Sequence, residues 1–261
     1  MNWKRIRKKT FRDDYALNQD LIALARTEKS HNFLTNKASL YIYTYLVHYV
    51  KAFSEEWFGH IESPRILDWG SGKGHITFLL NEICPEAEVT SCDIEEEQHS
   101  QSDSSFRQRT PIIEKKSIEV VPLKHAYNLP FGDETFDVVL SFGVLEHVPD
   151  DRSSLKEINR ILKPNGLFFC FFLPYQLSWT QKLAHWRGNF YHDHLYSKKQ
   201  TSSMLTQSKF KAVDMWHRQL LPKNSVHYEN YQFFERVDQL LTDHTLARYL
   251  ATNIEFVAYK L

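Results

Sequence analysis

The period of the apolar positions changes once along the chain, near residue 63. Between residues 13 and 60, Leu40, Tyr43, Val47 and Val50 recur at spacings of three and four, which marks one apolar stripe of a helix. Tyr41, Tyr45 and Tyr49 fall on another face of the same helix. That aromatic stripe predicts core packing, with a helical cap over a ligand as the alternative. From Arg65 onward, short apolar runs alternate with amphipathic stretches. "RILDW", "AEVTSCDI", "IEVVPL" and "FDVVLSFG" read as strands, and "GHITFLLNEI" reads as a helix. "DRSSLKEINRILKPNG" places Leu155, Ile158, Ile161 and Leu162 on one helix face and stops at Lys163-Pro164-Asn165-Gly166. "LFFCFFL" at 167–173 reads as a fully buried strand. Continuous apolar runs separated by helices predict a parallel sheet covered on both faces.

The remaining stretches fill in the organisation. Residues 211–221 and 253–260 read as the last two strands, with "YQFFERVDQLL" a helix between them. The polar segment 95–117 is longer than an ordinary connection and reads as a helix start or loop carrying an insertion. Residues 174–210 are rich in Trp, Tyr and His.

Composition narrows the partners. The chain has 32 Lys and Arg against 32 Asp and Glu, so a general polyanion-binding surface is not indicated and no nucleic-acid partner is expected. The basic residues Lys4, Arg5, Arg7, Lys8, Lys9 and Arg12 near the start read as a solvated terminus, or as an arm for an anionic partner. Cys84, Cys92 and Cys170 form no C-x-x-C pair and read as reduced thiols. No secretory signal and no membrane-length apolar run stand out, so a cytoplasmic protein is expected. Composition leaves the oligomeric state open.

The candidate chemistry begins at "RILDWGSGKGHITFLL", residues 65–80. A Walker loop requires Lys followed by Ser or Thr, and Lys73 is followed by Gly74. A dinucleotide fingerprint started at Gly70 ends on His75, and one started at Gly72 ends on Thr77, so neither fits. The spacing present is Asp68-x-Gly70-x-Gly72-x-Gly74. Glycines let a backbone approach a ligand closely. An acid at the strand end suits a cationic or ammonium group better than a pyrophosphate. Asp93 ends the next strand, 19 residues after Gly74, near the spacing at which a carboxylate accepts from a ribose diol.

"ILDWGSGKG", "CDI", "LPFGDETFDVVLSFGVLEHVPD" and "EINRILKPNGLFF" together resemble the class I S-adenosylmethionine-dependent methyltransferases, most of all the small-molecule enzymes of the ubiquinone/menaquinone-biosynthesis type. The resemblance covers roughly residues 63–175. It implies an α/β fold: a Rossmann-like, mostly parallel seven-stranded sheet with helices on both faces, an N-terminal helical cap over 1–62, and a methyltransferase domain over 63–261. Residues 174–210 are then a substrate-side insert. It also implies that Asp68, Gly70, Ser71, Gly72 and Gly74 wrap the methionine part of S-adenosylmethionine. Asp93 then holds the ribose, Ile94 lies against the adenine, and Ala126 meets the adenine edge. His125 stands where family members often carry an acid. Ser141 and Phe142 border the transferred methyl.

His147, in "VLEHVPD", is the candidate general base, with Glu146 to orient it and an ordered structural histidine as the alternative. Some ubiquinone-type O-methyltransferases hold a metal at Glu-x-x-Glu-His; Gly143 replaces the first acid here, so metal-independent transfer is expected. In "NFYHDHLYS", Tyr191, His192 and His194 are candidate substrate contacts, and alternation would set both histidines on one side. Trp179, Trp186, Phe190 and Tyr196 give the insert an aromatic character suited to a flat small molecule, or to packing. The function expected is methyl transfer to a small-molecule acceptor, with oxygen as the expected acceptor atom. RNA or protein methylation, and a catalytically inactive cofactor-binding subunit, are the alternatives.

Overall fold

The computed structural model describes residues 3–9, 15–27, 34–59, 61–94, 111–188, 192, 194–221 and 231–261. Among these residues seven strands form one sheet in the order β3-β2-β1-β4-β5-β7-β6. The strands are β1 (Arg65–Trp69), β2 (Glu88–Ile94), β3 (Val120–Leu123), β4 (Phe136–Phe142), β5 (Leu162–Pro174), β6 (Phe210–Arg218) and β7 (Asn253–Lys260). Every pairing from β3 through β5 is parallel, and β7 runs antiparallel to both its neighbours. The expected mostly parallel, seven-stranded Rossmann-like sheet is what the chain forms.

Helices cover both faces. They are α1 (Trp3–Arg7), α2 (Tyr15–Ala25), α3 (Lys37–Phe58), α4 (His75–Ile83), α5 (Pro111–Lys115), α6 (Asp151–Ile161), α7 (Trp179–Trp186), α8 (Lys198–Gln207) and α9 (Tyr231–His244). Successive strand residues point to opposite faces. Val138, Leu140, Leu167, Phe169 and Phe171 therefore join one apolar cluster with α3 and α4. Val139, Phe168 and Cys170 join the other with Leu155 and Ile158 of α6 and Leu205 of α8. The apolar runs look continuous in sequence because both faces are dry.

The 22-residue α3 is the longest of these helices. Asn36 caps it, accepting from the backbone N–H of Ala38 at 2.9 Å and of Ser39 at 3.3 Å. Tyr41, Tyr45 and Tyr49 are buried, as the core-packing reading expects. Tyr49 stands edge-on to Phe169, 6.2 Å between ring centres, and to Trp216, 5.7 Å. This helix shares its core with the sheet.

Two differences from expectation stand out. Arg7 is neither solvated nor an arm: it is 5% exposed, pairs with Asp243 of α9 at 2.8 Å and lies over the Trp216 ring. Burial of a guanidinium demands such partners. The Lys163-Pro164-Asn165-Gly166 stop belongs to β5 rather than to α6, which ends at Ile161. β5 pairs Leu162 with Phe136, then Leu167 with Val138, so the extra residues bulge out, with Asn165 at φ 61°. The segment 95–110, together with Phe190, Tyr191 and Asp193, lies outside the described residues.

Phe169 meets Tyr49 and Phe53 across the α3–sheet interface and Phe171 along its own strand. Phe169→Ala should cost about 3–5 kcal/mol. Hydrogen exchange should then quicken in α3 and β5 together; a rise confined to β5 would show that α3 is independent of the sheet.

Candidate functional site

β1 and β4 are adjacent and parallel, and the chain leaves them toward opposite sides of the sheet. The crevice beyond such a pair of strand ends is where open α/β sheets take ligands. Asp68 lies opposite Ser91 and Leu140, and Trp69 opposite Cys92 and Ser141. The glycine turn therefore emerges between Asp93 and Phe142.

The three glycines of the turn do different work. A Cβ on Gly70 would sit 2.5 Å from Val144 Cγ2, so this glycine lets the turn lie against the loop after β4. A Cβ on Gly74 would sit 2.8 Å from Ile113 Cγ1 of α5. On Gly72 (φ +52°) it would meet nothing nearer than the Gly70 carbonyl oxygen at 4.0 Å, so this glycine borders open space. The turn hangs from the end of β2: Gly70 and Ser71 donate their backbone N–H to the Cys92 carbonyl at 2.9 and 3.0 Å.

Asp93 holds the same turn. Its Oδ2 accepts from the Gly72 N–H at 2.6 Å and its Oδ1 from the Ile94 N–H at 2.7 Å. A carboxylate offers about four lone-pair sites, so one such group can accept from more than one donor at once. Asp68, 1% exposed, accepts from the Thr77 hydroxyl at 2.7 Å, and Thr77 in turn contacts Ser91 Oγ at 2.7 Å. Burial drives the Asp68 carboxyl up to about 7, opposed by the Thr77 hydrogen bond and assisted by the Asp93 charge. Thr77 was not singled out from sequence; its signal is a hydroxyl in the first turn of the helix that follows the glycines.

Ile94 is half-buried and pairs with Leu123. Ala126, 4% exposed, follows the end of β3 by three residues, which brings the candidate adenine contacts to one corner. His125 is exposed and stacks on Tyr127, 5.1 Å between ring centres. Ser141 is fully buried at the end of β4.

Phe142 belongs to an aromatic wall that the sequence did not reveal. Tyr43 of α3 meets Phe172 at 5.5 Å, His75 at 4.8 Å and Phe142 at 6.5 Å. Phe172 has φ +64°, where the β5–β7 register shifts between Cys170 and Leu173. This bulge turns a non-glycine residue through the left-handed region, which is costly. It sets the Phe172 ring against Tyr43 and Phe142.

Beside this wall stands a polar group: a Cβ on Gly143 would meet Phe172 Cβ at 4.0 Å and Glu146 Oε1 at 3.5 Å. Glu146, 3% exposed, leaves its Oε2 without a hydrogen-bond partner, and burial pushes its carboxyl up to about 8. His147 Nε2 lies 4.0 Å from Glu146 Oε1, and its ring is 5.2 Å from that of His192. Among the described residues, Glu146, His147 and His192 each offer a ligand atom within 4.8 Å of the others. His194 is exposed and stands outside this group. Tyr196 is 1% exposed and packs in the core; its hydroxyl donates toward the Leu145 carbonyl at 3.3 Å and Asp151 Oδ2 at 3.1 Å. Its backbone clips to the end of β5, with Tyr196 N–H to the Pro174 carbonyl at 2.9 Å. Tyr196 thus ties the insert to the loop of Glu146 and His147. Trp186 is 82% exposed.

Residues 67–170 match a family model described as a methyltransferase domain. An uncharacterized methyltransferase of Schizosaccharomyces pombe is 33% identical over 128 residues, 49% of this chain and 42% of that protein. A demethylmenaquinone methyltransferase of Staphylococcus aureus is 38% identical over 113 residues, 42% of this chain and 43% of that one. The matched stretch thus spans less than half the length of either relative. A solved S-adenosylmethionine-dependent methyltransferase of Thermotoga maritima shares the fold with a TM-score of 0.52 at 16% identity, over 85% of this chain and 95% of that one. No helix among the described residues is long and apolar enough to cross a membrane.

The buried Asp68 makes stability pH-dependent. Its folded pKa of about 7 lies above the ordinary 3.8, so the unfolded chain loses the proton first. The resulting contribution to stability is greatest below about pH 4 and falls by a few kcal/mol as pH rises to about 7. Between pH 5 and pH 8 the urea midpoint of the wild type should fall further than that of Asp68→Asn. Separately, Gly70→Ala should cost about 2–4 kcal/mol from backbone strain and overpacking. Val144→Ala should restore only the packing part in a double-mutant cycle.

Proposed function

This chain carries a class I S-adenosylmethionine-dependent methyltransferase domain, and we propose that it transfers the methyl group to an oxygen of a small-molecule acceptor. The observation that carries the reading is the open side of Gly72, flanked by Asp68 and Asp93 at the β1–β4 crevice. A cofactor with an ammonium at one end and a ribose diol further along fits that order of groups. In this reading Gly70, Ser71, Gly72 and Gly74 cradle the amino-acid end, with the Asp68 carboxyl beneath them. Asp93 accepts from the ribose hydroxyls with the same carboxylate that fixes the turn. Ile94, His125 and Ala126 border the base. Ser141 and Phe142 border the methyl.

S-adenosylmethionine supplies an already activated methyl group. The chain's task is to align an acceptor oxygen, exclude water and dispose of the acceptor's proton as the carbon–oxygen bond forms and the carbon–sulfur bond breaks. Tyr43, Phe142 and Phe172 make a dry wall for a flat acceptor. One relative takes its name from demethylmenaquinone, and a ring acceptor of that general shape suits the wall. In this reading His147 receives that proton, with His192 and Glu146 around it. Methylation of RNA or protein draws less support, because the net charge is zero and Arg7 of the basic stretch is paired with Asp243.

The test is calorimetric titration with S-adenosylhomocysteine. Wild type should bind one equivalent, and Asp93→Ala should bind about 10–100-fold more weakly, the scale of losing hydrogen bonds to a charged group. Absence of binding to folded wild type would overturn the reading.

A further inference from the structure

We propose that Glu146, His147 and His192 bind a divalent cation of borderline softness, such as zinc or cobalt, which ligates a hydroxyl of the acceptor. The inference rests on the methyl-transfer reading and specifies its acceptor side. It also runs against the metal-independent transfer expected from Gly143 in the loop after β4: the third donor comes from the insert instead of from the position of Gly143.

Three features support it. The donor set is one carboxylate and two imidazoles, which suits zinc and its neighbours and leaves coordination positions open. The ligand atoms already lie within 4.8 Å of one another, and Glu146 Oε1 is 4.0 Å from His147 Nε2. Donors about 2.1 Å from a common ion are about 3.0–3.4 Å apart, so the group must tighten by roughly 1 Å. The His147 side chain is 57% exposed and has room to rotate. Finally, Glu146 is 3% exposed, and its Oε2 has no hydrogen-bond partner. A buried carboxylate oxygen left this way is costly, and a cation between Glu146 and the imidazoles answers that cost.

The placement is not accidental to the fold. Tyr196 fixes the insert against both the end of β5 and the Leu145 carbonyl, next to Glu146. That anchor, four residues from His192, is what brings a distant histidine to a loop that carries the other two donors. A cation there lowers the pKa of a ligating hydroxyl, as metals do for bound water, and the proton goes to solvent. The acceptor is accordingly a hydroxylated compound able to offer an oxygen to the ion. His147 then acts as a ligand, and the free-imidazole role passes to the metal.

The experiment is titration of the tag-free, chelator-treated chain with Co2+, read by its visible absorption bands and by calorimetry. Wild type should bind one equivalent with bands of a site containing nitrogen and oxygen ligands. His192→Ala and Glu146→Gln should each weaken binding at least tenfold, and His194→Ala should leave it unchanged. Thermal melts and S-adenosylhomocysteine titration of each variant report folding and the cofactor site separately. Binding of S-adenosylhomocysteine with no saturable Co2+ site, or with Co2+ binding indifferent to His192→Ala and Glu146→Gln, overturns the cation site and leaves the methyl-transfer reading standing. Loss of S-adenosylhomocysteine binding in wild type would instead strike the methyl-transfer reading itself.

Discussion

The hydrogen bond from the Gly72 N–H to Asp93 is the constraint around which the rest of the crevice is arranged. It joins the turn after β1 to the end of β2, two strands that the sheet already holds side by side. With the Cys92 carbonyl accepting from Gly70 and Ser71, it leaves the turn little freedom. Rigidity there is transmitted outward. Gly70 presses directly on Val144, so the position of the loop after β4 follows from the position of the turn. That loop carries Glu146 and His147, and Tyr196 hangs the insert from it. One carboxylate thereby sets the proposed cofactor side and, through two further contacts, the proposed acceptor side.

The two sides differ in kind. The cofactor side consists of backbone and of acids whose neighbours are close in sequence or paired in the sheet. The acceptor side is built from residues supplied by distant elements: Tyr43 from α3, Phe172 from a bulge in β5, His192 from the insert. A scaffold of this type can keep its cofactor chemistry while its acceptor side is rebuilt by changing loops.

This division explains what was legible in the sequence. The parallel sheet was legible because strands buried on both faces must be continuously apolar, as "LFFCFFL" is. The glycine turn was legible because its spacing excludes the phosphate-binding alternatives. Phe172 was not, because nothing within seven apolar residues marks which one takes a positive φ; that is set by the register shift against β7. Tyr196 reads as one more aromatic of the insert, yet it is a buried anchor, whereas Trp186 of the same insert is exposed. The sequence places His192 and His194 on an equal footing, and only the contact with His147 separates them. Arg7 looked like part of a charged terminus because its partner Asp243 is 236 residues away.

That last separation bears on how the chain is made. A ribosome adding about 5–20 residues per second needs on the order of 10–50 s to travel from Arg7 to Asp243. Until β6 is complete the Arg7 guanidinium lacks Asp214 and the Trp216 ring, although α3 is already there to receive α1, and Asp243 follows last. The ionic contacts of Arg7 are therefore among the last that this stretch of chain can complete. A nascent chain of this protein therefore spends most of its synthesis with an unpaired guanidinium beside α3, and that cation is what a folding helper would meet.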